Sequence, residues 1–456
     1  MGLKAVKSGW PGSKPLSRPL DRHVHTQFRY RSLDDLQHAA QALGLELPTP
    51  GPSESLAEPL ATTLHVIPNR FALQPMEGCD GTMAGAPGAL TVRRYERFAR
   101  GGAGLIWFEA TAVLPKGRAN PRQLMLDDTT APAFNDLVHI TRREASQRPY
   151  LMLQLTHSGR YSQPSVIAHR DGVLDARHNL PSDYPLIGDA ELAAMPEAFV
   201  RAARLAQQAG FDAVDIKACH RYLFNELLAA HTRPGVYGGD YANRSRILLE
   251  TCQAVLRECP GLEVWVRLNA YDGHPYPWGW GIEADDPSKP DLCEPLRLVE
   301  QLAALGVTGI NVTAGNPYFT PHINRPYDQT LRGASLPEEH PLVGVVRLLH
   351  LTRALKQHAG RMLVMGSGYS WLRQHCVPIG AGAVADGWTD LIGLGRLALA
   401  YPDLPADVLA GHGADVRKCC TACSRCSQMM RNHTESGCAV FDRKIYRPIY
   451  EAGFEH

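Results

Sequence analysis

Five of the chain's eleven cysteines crowd between Cys419 and Cys438. Cys420, Cys423 and Cys426 are each separated by two residues, and Cys438 follows after eleven more. Thiolates at such spacing read as a metal site, whereas a disulfide framework would be distributed along the chain. A second set of polar residues sits at the ends of apolar runs: Gln154, Lys217, Arg267 and Arg396. In EVWVRLN (263–269), strand alternation puts Val264, Val266 and Leu268 on one face and Trp265, Arg267 and Asn269 on the other. An isolated buried charge is costly, so an inward Arg267 points to an anionic or electron-rich ligand. The plainer alternative is a charge buried for packing.

A scaffold must bring these positions together. From about residue 66 a short apolar run, a loop and an amphipathic helix repeat in turn. The runs are 71–75, 103–110, 150–155, 211–217, 263–269, 308–313, 361–366 and 390–395. Helix-period segments such as EAFVRAARLAQQAG (197–210) and PLRLVEQLAALG (295–306) lie between them. Eight strands alternating with helices predict an α/β fold, a (β/α)₈ TIM barrel with insertions, whose chemistry belongs at the carboxyl ends of the strands. A doubly wound sheet would advertise GxGxxG, which does not occur. The expected organisation is an N-terminal extension (1–65) with one helix at 33–43, a barrel (66–415) and a cysteine-cluster tail (416–456).

The composition bounds the partners. Hydrophobic residues make up 44% and charged residues 20%, and Lys+Arg 47 against Asp+Glu 46 leaves a formal charge of +1. That balance gives no field for a polyanion, so nucleic acid is not an expected partner. No apolar stretch approaches the ~20 residues that span a bilayer. The first residues lack an apolar signal region, so a cytoplasmic protein is expected, as is a homo-oligomer.

With these motifs in order, the chain resembles the old yellow enzyme family, in its branch with 2,4-dienoyl-CoA reductase and trimethylamine dehydrogenase. The resemblance covers about residues 66–450. It rests on NRFALQPM (69–76), GGAGLIWFEATAV (101–113), LQLTHSGR (153–160), GFDAVDIKACHRYLFNELL (210–228) with YGGDYANRSRILLE (237–250), and GLGRLALAYPDLP (393–405). It implies FMN at the top of the barrel. Gln154 would answer the pyrimidine edge of the flavin, and Arg267 the N1 and C2 carbonyl region where negative charge develops. Backbone around Pro75, Met76 and Ala110 would meet N5, O4 and the ring edge. Gly366, Gly368, Gly395 and Arg396 would hold the phosphate.

The resemblance also implies a catalytic set at the end of the fourth strand. Tyr222 would donate a proton to the α-carbon while FMN N5 delivers hydride to the β-carbon. Lys217 and His220 would polarise the substrate oxygen. Several positions depart from the family pattern. Lys217 replaces His, Arg221 replaces Gly, and Thr156 stands where a bulky Trp is common. Glu77 occupies a position that tunes the flavin, where an ionised carboxylate would oppose reduction; it must be protonated, turned away or paired. His157 lines the cofactor or substrate wall, or simply packs.

For the tail, the resemblance implies a 4Fe-4S cluster on Cys420, Cys423, Cys426 and Cys438, with Cys419 an alternative first ligand and structural zinc an alternative metal. Relatives with this cluster commonly continue into nucleotide-binding parts, and this chain stops at His456. The expectation is that it lacks a reductase domain, so electrons come from NAD(P)H or from a separate electron-transfer protein. The expected function is an FMN-dependent ene-reductase acting on a C=C bond conjugated to a carbonyl or carboxylate. Alternatives are an oxidative flavoenzyme, such as an amine demethylase or dehydrogenase, and a non-catalytic barrel subunit of a redox complex. Specificity is expected in the loops 161–190 and 314–335, where His322 is a further candidate.

Overall fold

A computed structural model describes residues 20–453. Eight parallel strands close into one barrel: β1 (Phe71–Leu73), β2 (Leu105–Ala112), β3 (Tyr150–Thr156), β4 (Ala213–Ala218), β5 (Glu263–Asn269), β6 (Gly309–Thr313), β7 (Leu363–Gly366) and β8 (Leu391–Leu394). β8 pairs with β1 and completes the ring. Each strand falls within, or within two residues of, its expected run. The expected (β/α)₈ architecture is therefore the one observed.

α1 (Leu33–Ala42) lies in the N-terminal segment, capped by Ser32 and Asp35 in a reciprocal box. Such a cap contributes about 1 kcal/mol. The segment lies against the β6–β8 side, where Phe28 and Tyr30 meet Trp371 edge-on and Gly51 donates to the Pro378 carbonyl. The barrel helices are α2 (Ala89–Arg100), α3 (Ala131–Glu144), α4 (Met195–Gln208), α5 (Tyr241–Glu258), α6 (Cys293–Leu305), α7 (Pro341–His358) and α8 (Cys376–Ala385). Their apolar stripes cover the outer face of the strands: Val264, Val266 and Leu268 of β5 belong to this large outer core.

A separate cluster fills the barrel interior, with Ala72, Trp107, Met152, Ala213 and Trp265 among its members. Trp265 thus points inward, as alternation requires for the strand that also carries Arg267. Its ring occupies the space where a Cβ on Gly309 would sit, 2.4–2.7 Å away, so β6 must begin with glycine. This packed floor leaves only the upper layer of the barrel to polar side chains.

The tail adds α9 (Arg425–Arg431) and α10 (Arg443–Ala452). Asp442 is gripped by Arg93 (2.7 Å) and Arg97 (2.6 Å) of α2. Ser436 donates its N–H to the Gly78 carbonyl and accepts from Arg94 at 3.0 Å. The tail is consequently clasped to the loop after β1, beside the rim. No helix among the described residues is long and apolar enough to cross a membrane.

Candidate active site

Strand register builds the centre of the site. Lys217 on β4 is paired with Arg267 on β5, and Gln154 on β3 with Asp215 on β4. These four positions therefore form adjoining layers of the inward face. Burial lowers the Lys217 ammonium to about 8, and burial also lowers Arg267. Asp215 lies among them, its acidity weakened by burial to about 7. It accepts from the Gln154 amide at 2.5 Å and from the Arg267 backbone at 2.6 Å. Asp215 was not singled out from sequence, although its i, i+2 relation to Lys217 puts it on the same face.

The exit of β4 turns sharply. His220 and Arg221 have φ values of 65° and 60°, consecutive left-handed residues without the freedom of glycine. This explains why glycine is usual at the position of Arg221. The arginine is held there by the buried Asp171 (3.1 Å) and Asp272 (3.3 Å) and by the Trp278 carbonyl (2.6 Å). His220 is half-buried, and its desolvation pushes it well below its ordinary range and keeps it neutral; Asn324 lies 3.0 Å from its Nε2.

Tyr222 follows the turn. The Lys217 ammonium sits 3.5 Å from its ring centroid, and its hydroxyl meets that of Tyr318 at 3.1 Å. Lys217 and Tyr222 are therefore in direct contact, with His220 on the turn between them. Burial raises the Tyr222 phenol well above its usual range, so it is protonated at neutral pH. Tyr318 stacks on Tyr161 with centroids 4.1 Å apart, and neither was anticipated from sequence.

Two cavities adjoin this cluster. The inner one is lined by Gln74, Met76, Arg267, Gly368, Gly393, Gly395 and Arg396, among others. Arg325, Ser367 and Ser370 also line it. A Cβ on Gly393 would strike the Gln74 amide at 2.2 Å and the Gly366 carbonyl at 2.5 Å. Gly366 itself stands behind the wall, beside Tyr369, so Gly393 holds the lining position expected for it. Three buried polar atoms here lack a protein partner: Gln74 Oε1, Arg267 Nε and Arg396 Nη1. A glycine-lined hollow with three arginines and unspent polar atoms fits a phosphorylated ring compound with hydrogen-bonding edges, and FMN meets both requirements.

The outer cavity, about 350 Å³, is lined by Glu77, Asn120, Arg160, Tyr161, Arg177, Tyr318 and Arg431, among others. Glu77 faces it as a half-buried acid whose pKa desolvation raises, with Lys217 opposing; Asn120 donates to it at 2.6 Å. Glu77 is thus paired rather than turned away. Pro75 is buried at the end of β1, and the Ala110 carbonyl accepts from Gln123 at 3.1 Å. His157 is a packing residue: it accepts from Gly159 N–H, lies under Gly117, and is lowered to about 3 by burial. Thr156 is also buried. His322 lines a neighbouring hollow that shares Arg177, Tyr318 and Arg431 as its wall.

In the tail, Cys420, Cys423, Cys426 and Cys438 line one hollow, and Arg396 forms part of its wall. Arg396 therefore separates the thiols from the inner cavity. Cys419 is directed instead toward the Asp415 carbonyl, at 3.5 Å. Among the described residues, no three His, Cys, Asp or Glu side chains converge closely enough to hold one metal ion. Four thiolates bound to a single zinc at about 2.3 Å would have to crowd together; these surround a hollow instead, an arrangement that fits a larger group.

An eight-stranded parallel barrel with a glycine- and arginine-lined hollow at its carboxyl rim fits a flavin-binding class of barrel. Residues 55–276 match the NADH:flavin oxidoreductase / NADH oxidase family. That match covers a little under half of the chain, and over it the chain is similar to old yellow enzyme-like flavin oxidoreductases. It is 28% identical over 409 residues to a cinnamate reductase of Clostridium sporogenes, covering 84% of this chain and 57% of that protein. It is 32% identical over 225 residues to an NADPH dehydrogenase of Geobacillus thermodenitrificans, covering 48% and 64%. The chain thus spans less than two thirds of these relatives' length. The fold is shared with a 2-naphthoyl-CoA reductase in complex with 2-naphthoyl-CoA (TM-score 0.69, 18% identity, 88% of this chain and 58% of that one). It is also shared with the old yellow enzyme homologue of Zymomonas mobilis (TM-score 0.59, 20% identity, 79% and 94%).

Proposed function

We propose that this chain is an FMN-dependent ene-reductase that reduces a C=C bond conjugated to a carbonyl or carboxylate. The observation that carries the reading is the cluster of Lys217, His220 and Tyr222 at one strand exit, between the cofactor cradle and the outer cavity. Gln154, Arg267 and the Met76 backbone hold the ring of FMN, and Gly368, Gly393, Gly395 and Arg396 its phosphate. Bound FMN supplies the hydride. Lys217 and His220 donate to the substrate oxygen, onto which negative charge is pushed as the β-carbon is attacked. Tyr222, protonated and held by Tyr318, delivers the proton to the α-carbon. The phenol is then restored from solvent through the outer cavity.

NAD(P)H or a separate redox protein would supply the electrons for the flavin, giving a ping-pong cycle. For the tail we propose that Cys420, Cys423, Cys426 and Cys438 would hold a 4Fe-4S cluster, which would supply single-electron chemistry on the far side of Arg396. Such a group is compatible with a reducing cytoplasm. Oxidative chemistry with electrons leaving by this route is the second reading, favoured by the shared Arg396 wall. An alkylammonium substrate is disfavoured within it, because Arg177 and Arg431 line the space it would enter.

The test is anaerobic reoxidation of the reduced flavin by enones, enoates and enoyl thioesters. Tyr222→Phe is expected to slow reoxidation by an enone roughly 100-fold while leaving flavin reduction unchanged. Equal effects on both half-reactions would remove the proton-donor role.

A further inference from the structure

Two guanidinium groups converge on the outer cavity without any carboxylate to neutralise them. Arg431, at the end of α9, lies over Tyr318 with 4.1 Å to the ring centroid, and its Nη2 donates to the Pro317 carbonyl. Its Nε is buried without a partner. Arg177, from the loop after β3, donates to the Tyr318 carbonyl at 3.3 Å and leans toward Phe319, 5.6 Å from the ring centroid. Both line the cavity, and among the described residues neither forms an ion pair. Arg160 is different, because its charge is spent on Asp175 and Glu226. The cavity's own acid, Glu77, already receives the Asn120 amide.

We propose that Arg431 and Arg177 form an anion-recognition site for a carboxylate or phosphate group of the substrate, remote from its reacting double bond. This inference rests on the ene-reductase reading and adds a substrate class to it. The conjugated oxygen is taken by Lys217 and His220, so the outer arginines are left for a second acidic group. Tyr161 and Tyr318, stacked between the two ends, offer a flat wall suited to a planar, preferably aromatic, spacer. The forked donors of arginine match the paired oxygens of an oxyanion; Arg431 is half-buried, which strengthens its contact relative to an exposed lysine, while Arg177 reaches in from the exposed rim. The substrate class is therefore an unsaturated carbonyl compound with a distal acidic group, not a neutral enone. Because Arg431 belongs to the tail, the cysteine segment supplies specificity as well as thiols.

The experiment compares para-carboxybenzylideneacetone, its methyl ester and the corresponding aryl phosphate as oxidants of the reduced full-length holoenzyme. The acid or the phosphate should exceed the ester in kcat/KM by about tenfold or more, chiefly through KM, and the preference should shrink with added salt. Whichever of the two anions is preferred assigns the group. Arg431→Gln and Arg177→Gln, checked for flavin content, should each reduce the acid-to-ester ratio several-fold. Equal use of acid and ester by the natural enzyme, or an unchanged ratio in both variants, would overturn the site. Equilibrium dialysis separates the two ideas. Binding of acid over ester without reduction of either would leave the anion site standing and remove the ene-reductase reading. Reduction of all three without preference would do the reverse.

Discussion

The chain leaves β8 through Gly393 and Gly395, presenting little beyond backbone to the inner cavity, with Arg396 as the one large donor at its edge. It leaves β4 through His220 and Arg221, two consecutive residues in the left-handed region, and buries Lys217, Arg221 and Tyr222 in the process. The first exit achieves close approach by having nothing in the way. The second holds bulky, charged groups in a backbone conformation that costs about 1–2 kcal/mol per residue. That cost is offset by Asp171 and Asp272 on the Arg221 guanidinium. Asp171, which burial alone would make a weaker acid, is held below the ordinary carboxylate range by the His274 bond and the Arg221 charge. The two exits stand on opposite sides of the barrel and meet different demands. One needs space, and the other needs strain that the surrounding ion pairs can hold.

Removing the anchor of the strained exit should have the largest effect. Arg221→Ala leaves Asp171 and Asp272 buried without their cation and is expected to cost about 3–5 kcal/mol, read as a lowered urea midpoint. If Arg221→Gly instead proves as stable as the natural protein, relief of the left-handed strain outweighs the ion pairs, and the contrast between the exits weakens. At the β8 exit, Arg396→Ala should act on retention rather than folding. Loss of a charge-assisted fork corresponds to about 2 kcal/mol, or roughly 30-fold weaker flavin binding, measured as flavin remaining after gel filtration. A large fall in stability there would show that Arg396 holds the tail more than the phosphate.

The smallest of these effects concerns pH. Lys217 at about 8 is charged below that value and neutral above it. The rate of enone reduction should therefore fall as pH rises through about 8, by about tenfold for each unit beyond it. Lys217→Arg, with a cation that does not titrate in this range, should abolish that limb while lowering the plateau. A limb that persists in Lys217→Arg would assign it to another group.

The barrel was legible because strand alternation and helix period repeat over hundreds of residues and need no side-chain detail. The same alternation correctly turned Trp265, Arg267 and Asn269 inward. Motif order was enough to bring Lys217, His220 and Tyr222 to one place. Pairwise geometry was not legible. Nothing in a linear string says that Gly366 sits behind the wall while Gly393 forms it, since both lie in similar glycine-bearing strand ends. Nor does it say that Asp215 takes the Gln154 amide. Tyr318 lay in a loop from which His322 had been singled out, and only the fold decides which of them faces Tyr222. Arg431 carried no local signal at all, because its neighbour in space, Tyr318, is far from it in the chain.

α9 begins beside one cysteine of the hollow and ends on an arginine of the outer cavity. Cys426 and Arg431 are five residues apart on it, about 7.5 Å along the helix axis at the rise of an α-helix. Such a span is too short and too stiff to absorb movement between its ends. Whatever seats Cys426 therefore also aims Arg431. A chain matured with the wrong occupant in its thiol hollow would betray the error in an unexpected currency, as altered discrimination among substrates.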